Sequence, residues 1–585
     1  MLALIRKVNN SIICLFDKCF DIVKKIRHKR YFLPLVFLGM FLIIFLCFFL
    51  FTYTHPIYEG NLFHEGNVWK DGEAIRKDYN AFLNTFDTTN ILIFGIVLIC
   101  IIAIIFIYLL INKRISFLLG LVTIFSIAFI IRLIYMGYCD AIFRNQHDVW
   151  SDYNVGHLSI TFSLFYTGKV PELFKDFNMS YQLYQFKTSH AIFAGWMQIM
   201  KLFVGNNDYV LYQSLKIIST AMSMGIVILT YYILKELGLT KRALIFGLLT
   251  TISFPTLVLL GANTNNDTCL IFFTYLSMYF AIKFYKKQSW FNIILLAISI
   301  GLTISTKLSG ALIALPIGVM MIYLFFKSIK CANFKQLIIY YVVFIAICFP
   351  LAFSWAYLNH KIYGYPLTYV WQVTNNNLMV NENITFFDRY LFINFKTLFD
   401  HPFVILSGQR QDYNFFEFLL KTQLFGEWSL PNNLYDAAYL MLGLNFGFVI
   451  VLFFIAAYFI IKLLIKHEYN KLSFYLAPLV ISFGASAIFG SDLDKVIGLS
   501  IIIVGVLLYV YWLSNKKRFY SPAFLAVISI YAIYVVSYTY FNMKEPFTCT
   551  MDFRYMIPML LVISYFFGVY LDKFIKEYKK VTFNK

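Results

Sequence analysis

Uncharged apolar runs long enough to cross a lipid bilayer recur along this chain of 585 residues. Leu33–Leu50, Ile91–Ile111 and Ala243–Leu260 contain no charged side chain. At about 1.5 Å of rise per helical residue, each approaches a hydrocarbon core of about 30 Å. A single water-soluble globule is therefore excluded. Disorder is excluded as well, because 60% of the residues are hydrophobic and 20% aromatic, the side chains that disordered segments lack. The expected fold class is an all-α polytopic membrane protein with outer-face loops carrying short interfacial helices.

About 14 transmembrane helices are expected, near 31–52, 90–111, 115–135, 210–234, 243–262, 268–283, 291–306, 308–326, 336–356, 436–461, 472–490, 496–514, 521–541 and 556–571. With the N-terminus in the cytosol, 30 of the 49 Lys and Arg residues fall on the inner side and 17 on the outer side. Arg132 and Lys216 are left within spans. The 30 acidic residues divide the other way, 6 inside and 24 outside. Every inner connection is basic, the positive-inside pattern, and parity places both termini in the cytosol. A cell-membrane, multi-pass location follows. The net charge of +19 thus reflects topology and does not call for nucleic acid. Residues 1–30 read as a basic amphipathic helix on the inner leaflet rather than a cleaved signal. Nine scattered cysteines show no C-x-x-C spacing and define neither a disulfide nor a zinc framework.

Five sections follow from this layout: the cytoplasmic helix 1–30, an N-terminal helix pair with its outer loop at 31–114, a transmembrane core at 115–356 with an outer loop at 136–209, a large outer loop at 357–435, and C-terminal helices at 436–585. Inner connections beyond residue 30 are too short for a nucleotide-binding domain, and no phosphate-loop motif occurs. Chemistry on the aqueous side would thus take place outside, where an activated group would come from a membrane-borne carrier. Arg144, His147, Asp148, Asp152 and His157 cluster just after a span. Tyr184 and His190 follow, and His190–Phe203 is read as a helix in the outer interface that does not cross.

Gln146-His147-Asp148-Val149, Gly156-His157, Tyr181-Gln182-x-Tyr184, His190 and Trp196 resemble the first outer loop of the C-type membrane glycosyltransferases. The nearest group is that of the protein O-mannosyltransferases and aminoarabinose transferases. Asn266-Asp267, Lys307 within TISTKLSGALIALP and the segment Asp552-Phe553-Arg554-Tyr555-Met556-Ile557-Pro558 fit the same resemblance in order. One departure is Gln185-Phe186-Lys187-Thr188, where relatives have a His-Pro-Pro-Leu run.

The resemblance implies transfer of a sugar from a polyprenyl-phosphate donor to a hydroxyl acceptor on protein, lipid or glycan at the outer face. The leaving phosphate ester is already stable as an anion and needs cations rather than an acid. The attacking hydroxyl needs a base, so one carboxylate serves an inverting displacement, whereas retention would need two. Asp148 is the expected base. Its alternative is a solvated loop carboxylate paired with Arg144. Lys307 and Arg554 are the expected donor-phosphate contacts, because a lysine between apolar segments must reach an anion or the interface and an arginine presents a planar fork. Asp552 could instead be the ion partner of Arg554. Arg144, His147, Asp152, His157, Tyr184, His190 and Asp267 are further substrate-binding candidates. Asp152 reads equally as a helix cap, and Asn266-Asp267-Thr268 as a helix start. The residues call for no cofactor and define no metal site, leaving a divalent ion open. A transporter or flippase of lipid-linked saccharides is the alternative. The absence of a clear internal repeat and the concentration of charge in outer loops favour the enzyme.

Overall fold

A computed structural model describes residues 32–59, 87–114, 116–142, 157–170, 186–367, 384–390, 395–406, 411–427, 435–469, 499–505, 522–545 and 547–583, with scattered single positions. The regular elements among these residues are all helical. The helix expected over 1–30 and most of the spans expected at 472–490 and 496–514 lie outside them, apart from 499–505 and a few scattered positions.

The chain runs through α1 (Phe32–Tyr53), α2 (Thr89–Ile111), α3 (Phe117–Tyr138), α4 (His157–Thr167), α5 (Thr188–Val204), α6 (Asp208–Gln213) and α7 (Leu215–Glu236). It continues as α8 (Lys241–Ile252), α9 (Pro255–Leu259), α10 (Asp267–Lys286), α11 (Trp290–Thr306), α12 (Ala314–Ser328) and α13 (Phe334–Tyr363). Short segments α14 (Phe386–Tyr390), α15 (Phe395–Asp400) and α16 (Phe415–Phe425) precede α17 (Tyr435–Ile465), α18 (Pro522–Lys544) and α19 (Met559–Phe583).

Among the described residues, nine helices are long and apolar enough to cross a membrane, or ten if the bent pair Lys241–Ile252 and Pro255–Ala262 is one span. The expected count of 14 is not confirmed by the described residues. Two expected spans have bounds that explain part of the gap. Trp290–Thr306 has only 17 residues, and Met559–Phe583 carries Asp572, Lys573, Lys576, Glu577, Lys579 and Lys580 in its second half.

The break between α8 and α9 has a local cause. Pro255 has no N–H to donate and sits at the first position of α9, behind Phe254 in extended backbone. The two pieces meet at 63°. α1 and α2 carry no charge and leave side chains such as Leu46 and Ile104 turned outward. α5 differs, burying Ser189, His190, Phe193, Ala194, Met197 and Met200 along one stripe. That spacing makes it amphipathic.

Two apolar clusters hold the bundle. One joins α7, α8, α10, α11, α12, α13, α18 and α19. The other joins α1, α3, α4, α5, α6 and α7. Water provides no drive for helices to associate within lipid, so close backbone approach matters. α8 and α19 achieve it at Gly247 and Gly568. A Cβ at Gly568 would lie 2.3 Å from the Ala243 carbonyl oxygen, and one at Gly247 would lie 2.7 Å from that of Ser564. Ser564 Oγ meets Thr250 Oγ1 and Thr251 Oγ1 at the same contact, at 2.5 and 2.9 Å.

Helix ends that the charge count assigns to one face gather at one end of the bundle. Glu236 at the end of α7 bonds Lys283 and Lys286 at the end of α10, and Arg242 of α8 pairs with Asp572 of α19. At the opposite end stand the start of α10, the end of α11 and the approach to α19.

Candidate functional site

The start of α10 is built on buried hydroxyls. Residues 263–266 are buried and mostly amide-bearing, a polar stretch that lipid alone would not tolerate. α7 supplies the partners. Ser219 Oγ donates to the Asn263 carbonyl, Thr220 Oγ1 to that of Gly261 at 2.9 Å, and Ser223 Oγ to that of Leu257 at 2.7 Å. Arg132 of α3 backs this row, its Nε donating to Ser223 Oγ at 2.8 Å and its Nη1 to the Ala128 carbonyl at 3.0 Å. Asn265 Oδ1 accepts from the Asp267 N–H at 2.9 Å and so fixes the first turn of α10.

α11 ends at Thr306, and Lys307 takes extended backbone before a 3-10 segment, Leu308–Ile313. This turn needs Gly310, because a Cβ there would lie 2.5 Å from the Thr303 carbonyl oxygen. Ahead of α19, Asp552 Oδ1 accepts from the Arg554 N–H at 2.7 Å and caps a 3-10 turn, Phe553–Met556. Thr422 Oγ1 of α16 accepts from the Phe553 N–H at 3.0 Å. α16 closes at Gly426, and Glu427 follows.

These pieces bring five charged groups together. Lys307 Nζ lies 2.7 Å from Asp267 Oδ1. Arg554 Nη1 lies 3.7 Å from Asp267 Oδ2, Nη2 3.2 Å from Glu427 Oε1, and Nε 3.8 Å from Asp552 Oδ2. Both cations also stand 5.3 Å from the Tyr555 ring centre, whose face attracts positive charge. The Lys307 and Arg554 side chains are 17% and 11% exposed. Burial pushes the Asp552 carboxyl above the usual carboxylate range, against the pull of Arg554. Burial also opposes the Arg554 charge, but Glu427, Tyr555, Asp552 and Asp267 outweigh it and hold the guanidinium above its ordinary value.

Lys307, Arg554 and Asp267 are thus one group. The helix-start reading of Asp267 describes its backbone, while its side chain binds both expected phosphate contacts. Asp552 does face Arg554, at ion-pair distance. His157 and His190 are buried and meet each other, Nδ1 to Nε2 at 2.8 Å with the rings stacked. Arg144, His147, Asp148, Asp152 and Tyr184 lie outside the described residues.

Sequence reasoning missed Glu427 and Tyr555. Tyr555 sits within the segment already singled out, and its neighbours were its only signal. Glu427 carried none beyond an acid after a helix-ending glycine. Lys187 was also passed over. It is fully buried, donates to Asn359 Oδ1 at 3.2 Å, and faces the rings of Trp355 and Tyr363 at 6.0 and 5.9 Å. Burial pulls its ammonium below the ordinary lysine range. The next residue links this corner towards Lys307, because Thr188 Oγ1 accepts from Trp355 Nε1 at 2.7 Å and donates to Ser305 Oγ at 2.9 Å.

Residues 196–363 match the family model Dolichyl-phosphate-mannose-protein mannosyltransferase. The match begins at Trp196 within α5, ends with the last residue of α13, and contains both Asp267 and Lys307. The resemblance to membrane glycosyltransferases drawn from the sequence motifs is the same one. No curated protein compared with the chain matches it. Among the described residues, no three His, Cys, Asp or Glu side chains are grouped to hold a metal ion.

Proposed function

We propose that the protein is an integral membrane glycosyltransferase that takes a sugar from a polyprenyl-phosphate carrier, dolichyl-phosphate mannose in the name of the matched family. The acceptor is a hydroxyl at the outer face of the membrane, on protein in that same name. The observation that carries this reading is the meeting of Lys307 and Arg554 on one carboxylate at the end of the bundle, partly exposed.

The chemistry follows from the groups available. Asp148 accepts the acceptor's proton as its oxygen bonds to the anomeric carbon. The bond from that carbon to the phosphate oxygen breaks on the opposite face, and its electron pair stays on the phosphate. Lys307 and Arg554 hold the charge that develops there, where fixed cations act most strongly. One displacement inverts the anomeric centre. The bend between α8 and α9 is a feature transporters also use, but the family match and the position of the ion group at helix ends favour transfer.

Asp148→Asn in purified, folded protein supplied with a polyprenyl-phosphate sugar tests the mechanism. Loss of a general base lowers the rate by roughly 10²–10⁴-fold. Undiminished transfer removes Asp148 from the mechanism. Movement of lipid-linked sugar across vesicles without product supports the transporter reading.

A further inference from the structure

We infer that Asp267 is a resident stand-in for the donor phosphate, holding Lys307 until the donor binds and then giving it up. This rests on the reading of Lys307 and Arg554 as donor-phosphate contacts.

Three carboxylates, Asp267, Asp552 and Glu427, surround two cations in this group. The cations are therefore already neutralised, and an incoming phosphate cannot simply add to them. It must compete with a carboxylate, and the distances indicate which one. Glu427 meets Arg554 at Nη2, 3.2 Å away, whereas Asp267 meets it at Nη1. Asp552 is tied to the backbone of its own turn through the Arg554 N–H. Among the described residues, Asp267 is the carboxylate at ion-pair distance from both cations, tightly at Lys307 and loosely, at 3.7 Å, at Arg554. Its carboxylate spans the seat that a phosphate bridging the same two cations would take.

The location also suits an anion. Asp267 is the first residue of the 20-residue α10, and a helix N-terminus favours negative charge whether it comes from a side chain or a phosphate. When the donor enters, Asp267 keeps its Asn265 Nδ2 contact, 3.3 Å away, and Lys307 moves to the phosphate. After transfer, the returning carboxylate helps expel the lipid phosphate. Asp267 on this account sets donor affinity and product release and takes no part in bond making. It is a positioning residue.

The test is equilibrium binding of a polyprenyl monophosphate, with no turnover required. Asp267→Asn is expected to bind it at least about tenfold more tightly than the wild type, with slower release and a lower kcat alongside a lower donor KM. Glu427→Gln, which removes equal charge without freeing Lys307, is expected to show a smaller gain. Weaker binding by Asp267→Asn, or equal gains in both variants, overturns the exchange while leaving the donor site standing. If the wild type fails to bind the lipid, both the exchange and the donor-site reading fall. Should Asp267→Asn not fold, infrared difference spectra of the wild type decide. Adding the lipid shifts a carboxylate band if the exchange occurs, and an unchanged carboxylate region overturns it.

Discussion

Arg554 lies 287 residues beyond Asp267 in the chain, and Lys307 lies 40 beyond it, yet the three share one ion cluster. The cations were legible in the sequence because a charge between apolar segments must be compensated. Their common partner was not, because Asn266-Asp267-Thr268 is an equally good helix start and pairing over such separations leaves no local trace. Glu427 was hidden for the same reason. Lys187 shows the converse, a charge whose burial only packing against Trp355 and Tyr363 reveals. Its lowered pKa has a consequence with a definite sign. Between that lowered value, near neutrality, and the ordinary lysine value of about 10.4, the unfolded chain binds a proton that the folded protein does not. Stability from this group therefore rises with pH across the window. Thermal midpoints across that range should climb less steeply in Lys187→Met than in the wild type. Parallel curves would contradict the assignment.

At the scale of elements, the apolar runs announced most helices, but 243–262 reads as one continuous span in the sequence and the bend behind Pro255 was not anticipated. The sequence could not indicate that α7 would present Ser219, Thr220 and Ser223 to that break, because a hydroxyl's partner depends on which helix lies opposite. Glycines were equally silent until neighbours were known. Gly568 allows α19 to lie against α8, where an added Cβ would meet the Ala243 carbonyl oxygen and, at 3.2 Å, the Gly247 nitrogen. Both neighbours are backbone atoms and cannot swing aside. Gly568→Leu should thus destabilise the protein by about 1–3 kcal/mol, the usual cost of overpacking. Thermal unfolding in detergent measures it, and a midpoint at the wild-type value would show that the two helices separate without cost.

For the whole molecule, the charge count and the geometry agree in one respect. Helix ends assigned to a common face collect at a common end, with Glu236, Lys283 and Lys286 at one and Asp267, Lys307 and Arg554 at the other. The proposed orientation puts the latter outside. In cells, a membrane-impermeant maleimide should label Asp400→Cys and spare Lys113→Cys in a cysteine-depleted background. The reverse pattern would turn the molecule over and move the ion group to the cytosolic face.

The central claim is that Lys307 and Arg554 hold a lipid-linked donor by its phosphate. It is tested most directly by reconstituting the purified protein with a labelled polyprenyl-phosphate sugar and following transfer to a hydroxyl acceptor. Wild-type protein should form product and release the lipid phosphate. Lys307→Met and Arg554→Lys should each lose at least about tenfold in kcat/KM, equivalent to about 1.4 kcal/mol of transition-state stabilisation, because a lysine cannot reproduce the guanidinium fork. Transfer at the wild-type rate by both folded variants would contradict the account.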